Sequence, residues 1–296
     1  MEAVISVEKR LISELVTMYS LEPELNDIYV EGPSDKCLIN RYLKKNDRNI
    51  NIVEINDIDF SELYVDKPEL KSNCKNKIIE LSNQLEINFT NSLEKVICIA
   101  DRDFDDFLNK IVINSYLNYT DYSSIELYFF NENSLNNFFN DILHGFPVKT
   151  KDVIPQLKSV LNDIFNIKLS LLNIFGVDFE INDYDFKKTI NINKINGVIN
   201  FNPSDYISRY LNTRKLMSHK EIVERLFYEL TNEKKDLLDL KIRGHDFMYL
   251  FFLYFDKIKN HIDISYETLE RIAFVTIDLD FIEESKLFQT IKRKYV

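Results

Sequence analysis

Glu31, Asp101 and Asp103 are the residues of this chain whose types and spacing best suit chemistry. Glu31 directly follows the apolar run Ile28-Tyr29-Val30, and Asp101-Arg102-Asp103 ends the run Val96-Ile97-Cys98-Ile99-Ala100. Read as strands of one parallel sheet, both runs deliver their acids to the carboxyl edge, where open α/β sheets bind ligands. Carboxylates converging there form a hard oxygen donor set suited to Mg²⁺ or Mn²⁺. Such an ion activates water and stabilises a leaving oxygen in phosphoryl transfer. Asp-x-Asp alone carries little weight, because it recurs at Asp57/Asp59, Asp103/Asp105, Asp183/Asp185 and Asp278/Asp280. Only Asp101/Asp103 follows a fully apolar strand. Glu31-Gly32 weighs more: of 5 glycines, one stands directly after an acid at a strand end, where close backbone approach asks for glycine. The competing reading is a solvated strand end followed by a turn.

The elements that must position these acids are legible around them. Ile5, Leu11, Ile12, Leu15 and Val16 share one face at helical spacing. After the first strand, Gly32-Pro33 turns the chain. Ser34 is a good helix N-cap, and Asp35 in the first turn suits the helix dipole. That helix runs to about Leu43. Residues 50–55 alternate as a strand, and residues 69–86 read as a helix. The order strand, helix, strand, helix, strand predicts a parallel α/β sheet. Residues 124–130 read as a further strand, followed by a helix over 132–143. From about residue 150 the pattern becomes mostly helical: 153–175, 204–212, 218–231, 244–260 and 265–289, with weak strand or loop signals over 176–203. The expected fold is therefore an α/β domain over 1–150 and a mostly helical part over 151–296.

Composition narrows the class. The chain has 296 residues, 45% of them hydrophobic and 13% aromatic, enough for a substantial core. Its net charge of −11 argues against a general nucleic-acid-binding surface and predicts weak nucleic-acid affinity without metal. Cys37, Cys74 and Cys98 lack metal spacing and are odd in number, which fits a reducing cytoplasm. The start reads as an amphipathic helix rather than a secretion leader. No apolar run reaches the length of a membrane span.

The segment Ile28-Tyr29-Val30-Glu31-Gly32-Pro33-Ser34-Asp35-Lys36 resembles the first motif of Toprim domains, and residues 96–106, VICIADRDFDD, resemble the second. ADRDFDDF followed by SSIELYF is similar to the OLD-like Toprim nucleases of bacterial anti-phage defence, in particular the AriB-like effectors of PARIS systems. In that branch an Ile-Glu-Asn-Tyr-like element follows the second motif; here it reads Ile125-Glu126-Leu127-Tyr128, with Leu in place of Asn. A late Gly-His-Asp element has its counterpart in Gly244-His245-Asp246. The likeness covers about residues 26–145 and a patch near 240–255. It implies a Toprim-like sheet with Glu31 as catalytic acid/base or metal ligand and Asp101 and Asp103 as metal ligands. Glu126 would be a further ligand, and Asp35 a second-metal or supporting group. It also implies a metal-dependent nuclease cutting RNA, such as tRNA, in preference to DNA. Growth arrest and activation by an ABC-type ATPase, AriA in that branch, follow from the same likeness.

Other residues carry two readings each. Lys36 and Arg102 either bind phosphate and stabilise transition-state charge or balance the carboxylates. His245 is either a general acid/base or a capping and structural residue. The aromatic run from Phe247 to Phe255 either stacks on bases or, as helical spacing favours, forms core or a homodimer interface. Asp278/Asp280 reads as a decoy, and Lys292-Arg293-Lys294 as a solvated basic end. The rival activities are a DNA nuclease or nickase, and a phosphatase of the haloacid dehalogenase type, which would leave Glu31-Gly32 without a role. A non-catalytic regulatory subunit of a defence ATPase is the rival outside enzymes.

Overall fold

The computed structural model describes residues 9–90, 92–177, 179, 181, 186–232, 241–259 and 264–296. The expectations at Ile5 and at Asp183/Asp185 lie outside them. The chain divides into two units: one runs to Asp121 and takes up Leu279–Val296 again, and the other is Tyr122–Asp278. The expected boundary near 150 is thus replaced by a division after Asp121 and a return after Asp278.

The first unit begins with β1 (Arg10–Leu11) and α1 (Ile12–Leu21), followed by β2 (Asp27–Val30), α2 (Pro33–Lys45), β3 (Asn51–Glu54) and β4 (Ile58–Asp59). α3 (Cys74–Phe89), β5 (Val96–Ala100), α4 (Asp105–Leu108) and β6 (Leu117–Tyr119) complete it before the crossover. β1 and β4 form a short parallel ladder of their own. The main sheet has the order β3-β2-β5-β6, and all three of its pairings are parallel. Parallel neighbours need crossover helices, and α2 and α3 supply two of them. All residues of β2 and β5 are buried, as expected of parallel strands covered on both faces. Beneath the sheet lies a core that includes Leu15, Tyr29, Ile78, Leu85, Val96 and Cys98.

The strand order reverses between β2 and β5, since the chain adds β3 on one side of β2 and then crosses to the other. This is the topological switch point at which open sheets leave a crevice. The register pairs Tyr29 with Cys98, so Glu31 and Asp101 emerge at the same edge of adjacent strands.

In the second unit, residues 124–130 do not form a strand. Ile125–Phe129 is a 3₁₀ turn whose five residues are all buried, and the fourth strand of the main sheet is the preceding β6. α5 (Glu132–Asn137) continues into a π turn, Phe138–Ile142. The long α6 (Thr150–Phe175) follows, then an antiparallel hairpin of β7 (Ile190–Ile192) and β8 (Ile199–Phe201). α7 (Pro203–Thr213), α8 (Lys220–Asn232), α9 (Gly244–Lys259) and α10 (Tyr266–Thr276) close the unit. The helix expected over 265–289 is in fact α10, then α11 (Leu279–Ile282) and α12 (Lys286–Tyr295), the last two belonging to the first unit. Asp121 anchors α12 there by accepting the Lys286 and Leu287 N–H groups at 2.8 and 3.0 Å. The basic end lies on this helix with Lys292 and Arg293 exposed, as expected, while Lys294 Nζ donates to the Glu94 carbonyl at 2.9 Å.

The aromatic run of α9 is core of the second unit. Phe247, Phe251, Tyr254 and Phe255 are fully buried, and the Phe251 ring lies 5.4 Å from both Phe129 and Phe138. Base stacking is therefore closed to these four rings. No helix among the described residues is long and apolar enough to cross a membrane.

Candidate functional site

At the switch point of the first unit, Glu31 Oε1 accepts a hydrogen bond from the Asp101 main-chain N–H at 2.9 Å. The first acid is thereby fixed against the strand that carries the second. Burial pushes the Glu31 carboxyl up to about 8; the Asp101 N–H opposes this, while the charges of Asp103 and Asp35 add to it and Lys75 subtracts. Glu31 thus feels Asp103 and Asp35 as like charges.

Asp103 sits in the left-handed region with φ 48, in the turn between β5 and α4. Asp tolerates that region better than most residues, at some cost in strain. The turn is tied down by Lys75, from the first turn of α3. Its ammonium donates to Asp105 Oδ2 at 2.6 Å, to the Arg102 carbonyl at 3.1 Å and to Asp103 Oδ2 at 3.2 Å. Burial works against the ammonium, but Asp103 and Asp105 outweigh it and hold the lysine above its ordinary value. Asp105 and Asp106 begin α4, as their acidic character at a helix start suggests.

Several expected roles change. The N-cap of α2 is Gly32, not Ser34, with Pro33 in the first helical position and Asp35 accepting the Gly32 N–H at 3.1 Å. Asp35 is buried and caps the helix beside Glu31. A Cβ at Gly32 would meet only Asp35 Oδ2, at an ordinary 3.8 Å. The protein's own packing therefore does not demand this glycine. Lys36 pairs with Glu54 at the carboxyl end of β3, at 3.3 Å. Arg102 is spent on structure: it donates to the Thr120 carbonyl at 2.7 Å and to Asp106 at 2.8 Å, and lies over the Tyr119 ring. These contacts fit the charge-balance reading of Arg102.

The second unit carries its own polar cluster. Glu126 is buried in the 3₁₀ turn, and His245 Nδ1, at the start of α9, stands 3.9 Å from its Oε1. Among the described residues, Glu126 Oε2 and the buried Ser124 Oγ have no hydrogen-bond partner. A Cβ at Gly244 would overlap both atoms, so any larger residue there forces Ser124 and Glu126 to shift. Asp246 forms a fully buried ion pair with Lys168 of α6 at 2.6 Å, with Arg243 3.8 Å away. Burial, followed by the charge of Glu126, raises the Glu270 carboxyl of α10, and His245 moderates the shift. The Gly-His-Asp element thus has a packing reason for its first residue and an ion-pair reason for its third. His245 itself is exposed.

Sequence reading missed Lys75, Lys168 and Ser124. Lys75 did leave a trace, since a lysine in the first turn of a helix runs against the dipole unless acids wait for it.

Among the described residues, no three Asp, Glu, His or Cys side chains already stand at metal-ligand spacing. The donor set of the first unit nevertheless fits a divalent cation. It is all oxygen, it gathers more negative charge than Lys75 balances, and it holds Glu31 in a state that a cation would relieve. No protein-family model matches the chain, and no curated protein matches its sequence.

Proposed function

We propose that the protein is a Mg²⁺- or Mn²⁺-dependent phosphodiesterase of the OLD-like Toprim type, acting as a nuclease effector in anti-phage defence. The observation that carries this reading is the meeting of Glu31 with Asp101 at the switch point of a parallel sheet, Asp103 following in a strained turn. Glu31, Asp101 and Asp103 would hold the ion, with Asp35 supporting Glu31 through the helix cap. Bound there, the ion supplies an activated water and charge stabilisation at the phosphoryl oxygens. Glu31 would accept a proton from attacking water once a bound cation offsets the burial and like charges that otherwise keep its carboxyl protonated. Lys75 orients Asp103, and Arg102 locks the turn to the end of β6.

The sequence likeness extends the reading to RNA, tRNA in particular, as substrate, to activation by an ABC-type ATPase, to growth arrest, and to a cytoplasmic homodimer. It also makes Glu126 a further ligand and His245 a proton-transfer group. Within the second unit, His245 Nδ1 stands 3.9 Å from Glu126 Oε1, and Glu126 Oε2 has no hydrogen-bond partner. A DNA nickase is the second reading, favoured by the same acids. Induced expression of wild type beside Glu31→Ala, with cellular RNA and DNA analysed, tests the proposal. Cut tRNA with intact DNA in wild type alone supports it, nicked DNA selects the second reading, and no difference between the two proteins rejects both.

A further inference from the structure

We propose that Lys75 is a built-in counter-ion of the candidate metal centre, one that competes with the cation for Asp103 and sets the centre's resting metal affinity. The inference rests on the metal-centre reading above. An ammonium has three N–H donors, and Lys75 uses all three on oxygens of one turn: Asp105 Oδ2 at 2.6 Å, the Arg102 carbonyl at 3.1 Å and Asp103 Oδ2 at 3.2 Å. Three oxygens around a small cation resemble half of the shell a hard metal ion takes. The side chain is only 11% exposed, so solvent screens its charge little.

The three contacts are unequal, and the inequality decides what yields. The shortest ties Lys75 to Asp105, which α4 carries. The longest reaches Asp103, whose side chain is 43% exposed and open to an ion arriving from solvent. A divalent ion that takes Asp103 therefore displaces the weakest of the three contacts and leaves Lys75 anchored by the other two. The retained positive charge then repels the ion it neighbours. Without Lys75, the acids would bind the cation more tightly, but Asp103 would lose the partner that aims it. Lys75 is thus a positioning residue that gives up metal affinity to hold geometry.

The test is direct Mn²⁺ binding to the full chain, by calorimetry or by the paramagnetic resonance signal of free Mn²⁺, for wild type, Lys75→Met and Lys75→Arg. Lys75→Met should bind Mn²⁺ about threefold or more tightly than wild type, because one nearby positive charge is gone. Lys75→Arg should stay near wild type. In cleavage assays, Lys75→Met should half-saturate at lower Mg²⁺ while its maximal rate falls. A purely structural lysine would lower the rate without tightening the metal. Lys75→Gln, which keeps a donor for the Arg102 carbonyl without the charge, replaces Lys75→Met if the latter does not fold. Wild type that binds no Mn²⁺ rejects the metal centre, and this inference with it. Wild type that binds Mn²⁺ while the uncharged variants bind no more tightly overturns the counter-ion inference alone.

Discussion

Glu31 Oε1 and the main-chain N–H of Asp101 are 2.9 Å apart, although 70 residues separate them in the chain. A carboxylate held by the backbone of the adjacent strand cannot swing freely, so its geometry is set by the sheet itself. The same hydrogen bond favours the ionised form of Glu31, but burial and the nearby acids win, and the carboxyl rises to about 8.

That balance gives the first prediction. The folded-state value lies above the ordinary 4.5, so the fold binds the Glu31 proton more tightly than the unfolded chain does. This contribution to stability is complete below about pH 4.5 and is lost as pH rises through 8. Glu31→Gln removes the titration and can still accept the Asp101 N–H. In the metal-free protein its melting temperature should match wild type near pH 4.5 and exceed it increasingly toward pH 8. Catalytic rate should meanwhile fall on the order of 100-fold or more. A melting difference that does not change with pH contradicts the assignment.

The parts of this site legible in the sequence are those fixed by short-range pattern. Ile28-Tyr29-Val30 and Val96 to Ala100 are uninterrupted apolar runs, and both are buried parallel strands with acids at their carboxyl ends. Other parts depend on distant packing. Ile125 to Phe129 is also apolar apart from Glu126, yet it is a 3₁₀ turn with all five residues buried, and a run without period does not distinguish the two. β6 has three residues, too few to show alternation. The return of α11 and α12 to the first unit rests on Asp121 and its bonds to Lys286 and Leu287, which span more than 160 positions. Lys168 was visible only as a charge within an otherwise apolar helix stretch; its partner Asp246 lies 78 positions away.

The Lys168–Asp246 pair gives a second prediction. Both side chains are almost wholly buried. Lys168→Met leaves the buried Asp246 charge with only the more distant Arg243 and should cost about 3 kcal/mol in urea unfolding. The double change Lys168→Met with Asp246→Leu should recover most of that loss, because no charge is then left alone. Equal losses in the single and double variants would show that packing rather than pairing matters.

Gly244 gives a third. A methyl group there would overlap Ser124 Oγ and Glu126 Oε2 and come within 2.9 Å of Glu126 Cδ. Gly244→Ala should destabilise the protein by roughly 1–3 kcal/mol, despite alanine's better helix propensity. Pairing it with Glu126→Ala should relieve the Glu126 part of the clash and leave the overlap with Ser124 Oγ. An Ala variant as stable as wild type contradicts the close approach.

Thiol accessibility gives a fourth. Cys98 is fully buried in β5, which pushes its thiol well above the usual range, whereas Cys37 is exposed. A thiol reagent at pH 8 should modify Cys37 quickly and Cys98 only on unfolding. Rapid modification of Cys98 in the native protein would contradict its placement in the central sheet.

The central claim, that Glu31 and the Asp101–Asp103 turn form a metal-dependent phosphodiesterase site, is tested most directly by cleavage of RNA by the purified full chain across a Mg²⁺ titration. Wild type should cut only when Mg²⁺ or Mn²⁺ is present, lose activity to a chelator and regain it on adding metal. Glu31→Ala and Asp101→Ala should be inactive throughout. Cleavage that is independent of metal, or that survives in both variants, would contradict the account.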